Sequence, residues 1–511
     1  MDSKTFYITT AIVYVNGDPH VGFAMECIQA DTIARYKRLM GFDTRFLTGT
    51  DENGIKNYEA AQAAGLSTQE FVDRQSKKFQ ALKSLLNLSN DDFIRTTDQK
   101  RHWPACQNIW KKMVEKGDIY KKEYEGRYCS GCEKFLTERD LEDGICVYHK
   151  KEPKIVKEEN YFFKLSRYSD QIMALLKNNE LRIYPEFRKN EILNLAEEGL
   201  HDVSFSRPRS VLPWGVPVPD DPKHVMYVWS DALTNYISAI DYAEEGELFH
   251  KYWPADLHVI GKDIIRFHAG IWIGMLLSAG VPLPKGEFVH GFITHNGEKM
   301  SKSLGNVVDP HETVEKYGLD AVRYYLLSEI PVGNDGDFND ALFVERYNSH
   351  LANSLGNLLN RVHTLISRNA ITDFDFDYHE EMYRQKTDEV WKKYVSDMDE
   401  YKLHEGLADA WELVDFANKR MEEEKPWNAL KTEPEKGRAT LCNLLEVLRH
   451  ISILISPFVP NASKNIRNQI GLPPVIDPEK KKVWGALAGQ WSGLGEVSII
   501  FPRIETFSQK E

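Results

Sequence analysis

Residues 14–23, with the sequence YVNGDPHVGF, decide how the N-terminal part of the chain is expected to fold. They follow a β-branched and aromatic run over 5–13 that predicts a strand, and they lead into a helical pattern over 22–40. A strand, a tight turn and a helix start form a typical phosphate or nucleotide site, because the first N–H groups of a helix have no partners within it. His20 and Gly22 lie at this helix start. The stretch therefore predicts a nucleotide site in an α/β domain, although a turn histidine taken alone is more often structural.

A second stretch, residues 291–305 with the sequence GFITHNGEKMSKSLG, places two lysines in a polar loop between glycines. Ammonium groups on such a loop suit a reaction whose transition state gathers charge on transferring phosphates. Taken alone, the loop is better interpreted as solvated surface. Together with His20-Val21-Gly22, however, the string KMSKS at 299–303 resembles the paired signatures of class I aminoacyl-tRNA synthetases. A given five-residue string arises by chance on the order of once in thousands of chains of this length.

Length and composition indicate a globular enzyme with several domains. A chain of 511 residues corresponds to roughly three or four domains. Its 42% hydrophobic and 11% aromatic residues argue against disorder. No apolar run reaches the roughly 18 residues that span a bilayer, and the N-terminus lacks the pattern of a signal or transit peptide. We therefore expect a cytoplasmic protein without a membrane partner.

The net charge of −13 argues against a protein that binds nucleic acid over its whole surface. Phosphate contacts need clustered lysine and arginine residues. If the chain binds tRNA, its positive potential must therefore be confined to one face.

The α/β pattern is interrupted between residues 119 and 213, where two ligand pairs occur. Cys129 and Cys132 form one pair, and Cys146 and His149 form the other. Each pair is separated by two residues, so both pairs can reach one ion, and four protein ligands make a closed, structural zinc site. The alternative is that the cysteines are simply buried. Six cysteines in all fit a reducing compartment better than a disulfide framework.

Large rings accumulate where the α/β pattern resumes, near a second strand-to-helix turn at 257–264. The rings belong to Trp229, Tyr236, Phe267, His268 and Trp272. A ring-lined pocket suits an unbranched thioether, because sulfur makes favourable contacts with aromatic faces and edges. The alternative for such a cluster is ordinary core packing.

Asp51 follows a predicted strand at 44–48, which places it at the carboxyl edge of a parallel sheet, where such folds bind ligands. Its carboxylate could pair with the α-ammonium group of an amino acid. The alternative is a turn or helix-cap aspartate.

The C-terminal third is helical by periodicity, with runs at 344–367, 385–419 and 436–455. Short turns between them suggest an α-bundle appended to the α/β domain. Trp427 follows a proline at a break between these helices. An exposed indole there could stack on an unpaired base, whereas a tryptophan in a bundle is ordinarily core.

In order and spacing, these motifs resemble the methionyl-tRNA synthetase family over essentially the whole chain. The resemblance implies an α/β fold, with a Rossmann-type doubly wound parallel sheet split by a zinc-knuckle connective insertion and followed by a C-terminal α-helical bundle. The implied domains are the first half of the Rossmann catalytic domain at 1–117, the connective insertion at 118–213, the second catalytic half at 214–325, a stem-contact segment at 326–352 and a helical anticodon-binding domain at 353–511.

The resemblance also implies an activity, methionine–tRNA ligation. ATP activates L-methionine to methionyl-adenylate with release of pyrophosphate, and the methionyl group is then transferred to the 3′ end of tRNA(Met), for translation initiation and elongation. The implied cofactors are ATP, Mg²⁺ and a structural Zn²⁺, and the partners are tRNA(Met), L-methionine and ATP. We expect a monomer, because relatives that dimerise use an added C-terminal domain.

The family's site residues carry over to matching positions of this chain. The implied methionine-binding residues are Ile12, Tyr14, Asp51, Trp229, Ala232, Leu233, Tyr236, Ile264, His268 and Trp272. The implied ATP-binding residues are His20, Gly22, Gly261, Lys262, Asp263, Lys299 and Lys302, of which His20, Lys299 and Lys302 are catalytic. The implied zinc ligands are Cys129, Cys132, Cys146 and His149, and the implied anticodon-binding residues are Asn353, Asn357 and Trp427.

Two positions depart from the family pattern. Phe23 and Asn53 both stand where the family usually has histidine.

The isoleucine, valine and leucine enzymes need a large editing insertion for which 511 residues leave little room. The cysteine enzyme would hold zinc in its substrate pocket. A synthetase-like binding protein without catalysis is the alternative from another class.

Replacement of Phe23 by histidine is expected to raise the rate of adenylate formation. A phenyl ring cannot donate a hydrogen bond to a phosphate, and the loss of one such donor costs about 2.7–4 kcal/mol of transition-state stabilisation. Pyrophosphate exchange measures this rate. An unchanged or lower rate in Phe23→His would show that the site has already adapted to the phenyl ring.

Overall fold

The computed structural model describes residues 4–129, 134–136, 140–148, 150–300, 305–374, 380–487 and 491–505. The chain folds into two units. The sheet unit contains Thr5–Pro19 and Thr44–His290, and the helical unit contains His20–Asp43 and the chain from Gly291 onward. Among the described residues, no helix is both long and apolar enough to cross a membrane.

The described part of the sheet unit is organised by a seven-stranded sheet. Its strands are β1 Thr5–Thr10, β2 Val13–Tyr14, β3 Asp43–Asp51, β4 Asp92–Arg95, β10 Arg182–Tyr184, β15 Leu257–Gly261 and β16 Gly286–His290. The strand order is β10-β16-β15-β1-β3-β2, and β4 also pairs with β3. The pairs β1–β15, β15–β16, β10–β16, β2–β3 and β3–β4 are parallel. Parallel neighbours that are distant in sequence require crossover connections, which confirms the Rossmann-like class of fold.

The expected strand at 5–13 is two strands in the structure. The ladder stops after Thr10 and resumes at Val13, where β2 pairs with the last residues of β3. In this register Tyr14 is the partner of Asp51. The break therefore brings Tyr14 to the carboxyl end of β3, which a single continuous strand would not require.

Antiparallel strands interrupt the alternation after β4, as expected. They are β5 Ile119–Cys129, β6 Lys134–Leu136, β7 Leu141–Glu142, β8 Ile145–Cys146, β9 Lys154–Phe163, β11 Val203–Ser204, β12 Ser206–Pro208, β13 Pro217–Val218 and β14 Asp221–Met226. They form sheets in the orders β11-β9-β5-β6, β12-β14-β13 and β7-β8. Antiparallel pairs need only short turns, whereas parallel pairs need long crossovers, so this segment differs in construction from the main sheet.

The helices of the sheet unit connect its strands. They are α2 Ile55–Ala63, α3 Thr68–Leu85, α4 His102–Glu115, α5 Ser169–Lys177, α6 Lys189–Glu197, α7 Val228–Ala232, α8 Asn235–Ser238, α9 Glu247–Tyr252 and α10 Ile273–Ala279. Short 3₁₀ segments lie at Leu165–Tyr168, Glu186–Arg188, Tyr242–Glu244 and Lys262–Ile264, and a π-helical segment spans Phe267–Trp272.

The helical unit combines a long first helix with the C-terminal helices. They are α1 Val21–Leu39, α11 Pro310–Tyr317, α12 Leu319–Ser328, α13 Asp340–Arg346, α14 Asn357–Arg368, α15 Glu381–Asp399, α16 Leu403–Glu424, α17 Pro426–Thr432, α18 Pro434–Leu454 and α19 Pro460–Gln469. A π-helical segment, Tyr347–Gly356, joins α13 to α14. A small sheet contains β17 Ile293–His295, β18 Glu298–Lys299 and β19 Gly336–Phe338.

The expected helix over 385–419 was wrong as one element. The structure has α15 and α16 there, separated by Tyr401 with a φ of 57°. A residue in the left-handed region cannot continue a right-handed helix. Periodicity missed the break because tyrosine gives no turn signal.

A buried ion pair fastens α1 to α12 inside the helical unit. Arg323 Nη1 lies 2.7 Å from Asp31 Oδ2, and neither side chain is exposed. The same guanidinium donates to the carbonyl oxygens of Phe458 at 2.6 Å and Pro457 at 2.9 Å. Asp31 also accepts from Arg35 at 2.7 Å. Buried charges persist only when they are paired in this way, so this cluster fixes how three segments pack.

Arg323→Met is expected to lower the free energy of unfolding by about 3–5 kcal/mol, because it removes one member of a buried pair and the donor to two carbonyls. Urea unfolding followed by helical circular dichroism measures this loss. The matched control is Lys419→Met, which removes an exposed lysine 3.9 Å from Glu423 and should cost less than about 1 kcal/mol. Equal losses in the two variants would contradict the assignment.

Candidate active site

The carboxyl edge of the main sheet carries Asp51, as the sequence predicted. Asp51 is the last residue of β3 and is only 4% exposed. Its Oδ1 accepts from the backbone N–H of Asn53 at 3.3 Å and from the hydroxyl of Thr96 at 3.4 Å. These bonds hold the carboxylate at the edge where parallel sheets bind ligands.

The predicted rings meet in one cluster of the sheet unit. Trp229 on α7 stacks on Phe267 with 3.9 Å between ring centroids. The Tyr236 hydroxyl lies 2.7 Å from His268 Nε2, and the Tyr236 ring is 5.9 Å from that of Trp272. The sequence placed these residues together, and the structure brings them into contact.

The pocket residues divide into a buried floor and a partly exposed rim. The buried members are Ala232, Leu233, Tyr236, His268 and Trp272. The partly exposed members that pack on the same core are Ile12, Tyr14, Trp229 and Ile264. A partly exposed rim over an apolar floor is the arrangement that ligand pockets have.

His268 is held as a neutral imidazole. Its Nδ1 lies 3.0 Å from the carbonyl oxygen of Ile264, so Nδ1–H donates there and Nε2 accepts from the Tyr236 hydroxyl. Burial lowers the pKa of His268 to about 4. The ring therefore carries no charge near neutral pH, and the floor stays suited to an uncharged side chain.

Gly261, Lys262 and Asp263 lie at the same edge of the sheet unit. Gly261 ends β15, and its register partner His290 ends β16. A Cβ at Gly261 would lie 2.8 Å from Asp263 Oδ1, so the absence of a side chain lets the Asp263 carboxylate approach the backbone of Gly261 closely. The sequence analysis did not single out His290, which has no spacing signal but faces Gly261 across the two strand ends.

In the helical unit, His20 caps the first helix. Its Nδ1 accepts from the backbone N–H of Gly22 at 3.1 Å, which requires the proton of a neutral ring to be on Nε2. A Cβ at Gly22 would lie 2.9 Å from His20 Cε1, so the glycine leaves room for the imidazole. The structural interpretation of this histidine is therefore confirmed, while its phosphate-binding role stays a prediction for an exposed side chain. Phe23 is 6% exposed.

Hydrogen bonds hold the base of the lysine loop next to the start of α1. Lys299 is exposed in β18, and its carbonyl oxygen accepts from the Asn306 side chain at 3.2 Å. His295 Nδ1 lies 3.0 Å from the Asn306 carbonyl oxygen. The backbone N–H of Val21 donates to Val308 at 3.0 Å. The residue after His20 is therefore bonded to the chain segment that leaves the loop, while Lys302 lies outside the described residues.

Two of the four expected zinc ligands are described. Cys129 and Cys146 are 5% and 0% exposed and pack in a small cluster with Leu136 and Leu141. Cys132 and His149 lie outside the described residues. Within the ranges that are described, no group of three or more histidine, cysteine or acidic residues could hold a metal ion.

The expected anticodon residues lie in the helical unit. Asn353 and Asn357 are exposed on consecutive turns at the junction of the π-helical segment and α14. The guanidinium of Arg361, one turn further along α14, lies 5.1 Å from the centroid of the Trp427 ring. Arg361 was not predicted from the sequence. Its contact with the half-buried Trp427 brings that ring to the same surface as Asn357.

Comparisons with known proteins agree on one family. A family model described as "tRNA synthetases class I (M)" matches residues 6–147 and 137–363. A model of the "Anticodon binding domain of methionyl tRNA ligase" matches residues 375–488. The methionine–tRNA ligase of Caldanaerobacter subterraneus subsp. tengcongensis is 44% identical over 98% of this chain and 79% of its own length. That of Brucella suis is 42% identical over 98% of both chains.

Solved structures give the same result. The methionyl-tRNA synthetase of Mycobacterium tuberculosis in complex with methionyl-adenylate has a TM-score of 0.90 and 41% identity, covering 98% of this chain and all of that one (100%). Its apo form has a TM-score of 0.85 and 38% identity, covering 99% of each chain. The chain therefore belongs to the methionyl-tRNA synthetase family, as the order and spacing of its motifs indicated.

Proposed function

We propose that the ring pocket of the sheet unit binds the methionine side chain, that Asp51 binds its ammonium group, and that His20 and the lysine loop act on ATP. As a member of its family, the chain is a methionine–tRNA ligase, which forms methionyl-adenylate and then methionyl-tRNA(Met). The observation that carries the residue assignment is the buried apolar floor beside a nearly buried carboxylate at the end of β3. That combination matches a substrate with a cationic group and a thioether on one short carbon skeleton.

The pocket would select methionine by polarity as well as by size. The Tyr236 hydroxyl proton is directed to His268 Nε2, and that ring is neutral, so neither group brings a charge to the thioether. A charged or strongly hydrated side chain would lose its water there without compensation. Thiol and aliphatic side chains of similar size would be disfavoured only because they make weaker contacts with the rings. Such differences in contact discriminate only modestly between side chains.

In the first step, the methionine carboxylate attacks the α-phosphate of ATP and pyrophosphate leaves. Nε2–H of His20 would donate to the phosphates, since Nδ1 is used by Gly22. Lys299 and Lys302 would balance the charge that develops on the leaving pyrophosphate. Mg²⁺, when bound, would share that charge. The protein thus contributes mainly positioning and positive charge.

The domain roles stay predictions. We propose that residues 1–117 and 214–325 form the catalytic domain, 118–213 the connective insertion, 326–352 the stem contact and 353–511 the anticodon-binding domain. Asn353, Asn357 and Trp427 would contact the anticodon, with Arg361 holding the indole ring. A planar guanidinium over one face of the indole leaves the other face for a base. The cytoplasmic location and the monomeric state also stay predictions.

We also propose that Cys129, Cys132, Cys146 and His149 hold a structural zinc ion. The burial of Cys129 and Cys146 in a cluster with few other apolar residues supports it, since three thiolates and an imidazole suit Zn²⁺. The ion would fix the fold of the insertion and take no part in the reaction.

The catalytic assignment is tested by pyrophosphate exchange with purified protein. The wild type should exchange pyrophosphate into ATP with methionine, and at least about tenfold less efficiently with leucine, isoleucine or cysteine. His20→Ala should lower kcat about 10²–10³-fold through loss of a phosphate donor. Asp51→Asn should mainly raise KM for methionine, because it removes the partner of the ammonium group.

The matched control is His311→Ala, an exposed histidine on α11 of the same unit, which should leave exchange unchanged. Wild-type protein that binds tRNA without methionine-dependent exchange would support the non-catalytic alternative and end this assignment.

The zinc site is tested by metal analysis. We expect one zinc per chain in the wild type and none in Cys146→Ser, because a site that loses one of four ligands loses most of its affinity. Cys442→Ser is the control, since Cys442 is a buried cysteine in α18 of the helical unit and should not change the zinc content. Wild-type protein grown with ample zinc that contains no metal would contradict the proposal.

A further inference from the structure

Three elements of the sheet unit meet at the buried carboxylate of Asp231. Asn53 Nδ2, in the loop after β3, donates to Asp231 Oδ2 at 3.2 Å. His102 Nε2, at the start of α4, lies 3.7 Å from Asp231 Oδ1. Asp231 and His102 are 0% exposed and Asn53 is 1% exposed. None of these residues took part in the function proposed above.

Asn53 connects the two parts of the methionine pocket. Its backbone N–H donates to Asp51 Oδ1, and its amide donates to the Thr96 carbonyl oxygen at 3.2 Å as well as to Asp231. On the other side, Asp231 lies on α7 between Trp229 and Ala232. A single amide group therefore joins the loop of the ammonium-binding carboxylate to the helix of the ring wall.

His102 extends the connection to α8. Its Nδ1 lies 2.9 Å from Ser238 Oγ, so the imidazole and the hydroxyl are hydrogen-bonded. The helix α8 carries Tyr236, whose hydroxyl meets His268. The network around Asp231 thus reaches every element that carries a pocket ring except the π-helical segment.

The network is too deeply buried to act on a substrate itself. Cys106 Sγ lies 3.2 Å from His102 Nε2, the same ring nitrogen that faces Asp231, so the cysteine, histidine and aspartate are not arranged as a nucleophile triad. Burial also raises the pKa of the Cys106 thiol well above its usual range, so the reactive thiolate is disfavoured. Burial likewise raises the pKa of Asp231, while Asn53 and His102 favour its charged form.

We infer that Asn53 and His102 are positioning residues for methionine, which set the separation between the Asp51 carboxylate and the Trp229 wall by holding Asp231 between them. This inference rests on the proposed function of the pocket. Because these bonds involve α7, α8 and the loop after Asp51, which carry or adjoin methionine-binding residues, and α4, which carries no ATP-binding residue named above, a defect in the network changes methionine binding more than ATP binding. A misplacement of about 1 Å in such a site is enough for a large loss.

The test is the isosteric variant Asn53→Asp, which replaces the bridging donor by an acceptor without changing the size of the side chain. We expect KM for methionine in pyrophosphate exchange to rise about tenfold or more, since a hydrogen bond to a charged group is lost. The KM for ATP should stay within about twofold and kcat within about threefold. Asn178→Asp, at an exposed position of the same unit, is the matched control and should behave as the wild type.

The double variant Asn53→Asp with Asp231→Asn restores one donor and one acceptor across the same gap. It should recover part of the methionine affinity that Asn53→Asp loses, as measured by quenching of tryptophan fluorescence on methionine addition. Thermal unfolding of each variant shows whether it is folded. A merely structural role would lower stability, raise both KM values together and give no recovery in the double variant.

The two proposals fail in different ways. Wild-type protein without methionine-dependent exchange overturns the proposed function. An active wild type together with an Asn53→Asp variant whose KM for methionine is unchanged overturns the positioning role alone.

Discussion

Parallel strand pairing is the constraint on which the candidate site depends. Because β1, β3, β15 and β16 belong to one parallel sheet, their carboxyl ends share an edge, and Asp51, Gly261 and His290 are the residues at those ends. Segments that are far apart in sequence thereby contribute to one surface. The insertion of antiparallel strands between β4 and β15 leaves this edge intact, since β15 returns to pair with β1. The chemistry of the site is in this sense a consequence of strand register.

The polar groups beneath this edge are buried, and their pairing makes the arrangement specific. Asp231 is enclosed completely, with the Asn53 amide donating to one carboxylate oxygen and His102 facing the other. The helical unit uses the same device on its own, where Asp31 and Arg323 are fully enclosed between α1 and α12. Burying a charged group costs free energy unless well-placed partners pair with it, so such groups tolerate few alternative packings. In the sheet unit, this rigid packing lies next to the methionine pocket, where the positions of the binding groups must be held closely.

The sequence predicted those parts of the molecule that are encoded locally. The position of Asp51 was predicted because it follows a strand-like run of residues, and the ring cluster was predicted from the density of aromatic residues near one turn. The break at Tyr401 and the π-helical turn that carries His268 and Trp272 were not predicted, because no residue there gives a turn or helix-end signal. The link from Asn53 to Asp231 was also missed, because contacts between distant segments leave no periodicity. The family resemblance supplied roles, such as that of Lys302, which lies outside the described residues.

The most direct test of this account is recovery of the reaction intermediate from the protein. Purified protein is incubated with ATP, Mg²⁺ and an equal mixture of methionine, leucine, isoleucine and cysteine, passed rapidly through a desalting column and denatured, and the released small molecules are identified by mass spectrometry. We predict close to one methionyl-adenylate per chain, in at least about tenfold excess over any other aminoacyl-adenylate, since one site joins the apolar pocket to Asp51. Recovery of mainly a different adenylate, or of none from folded protein, would contradict this prediction.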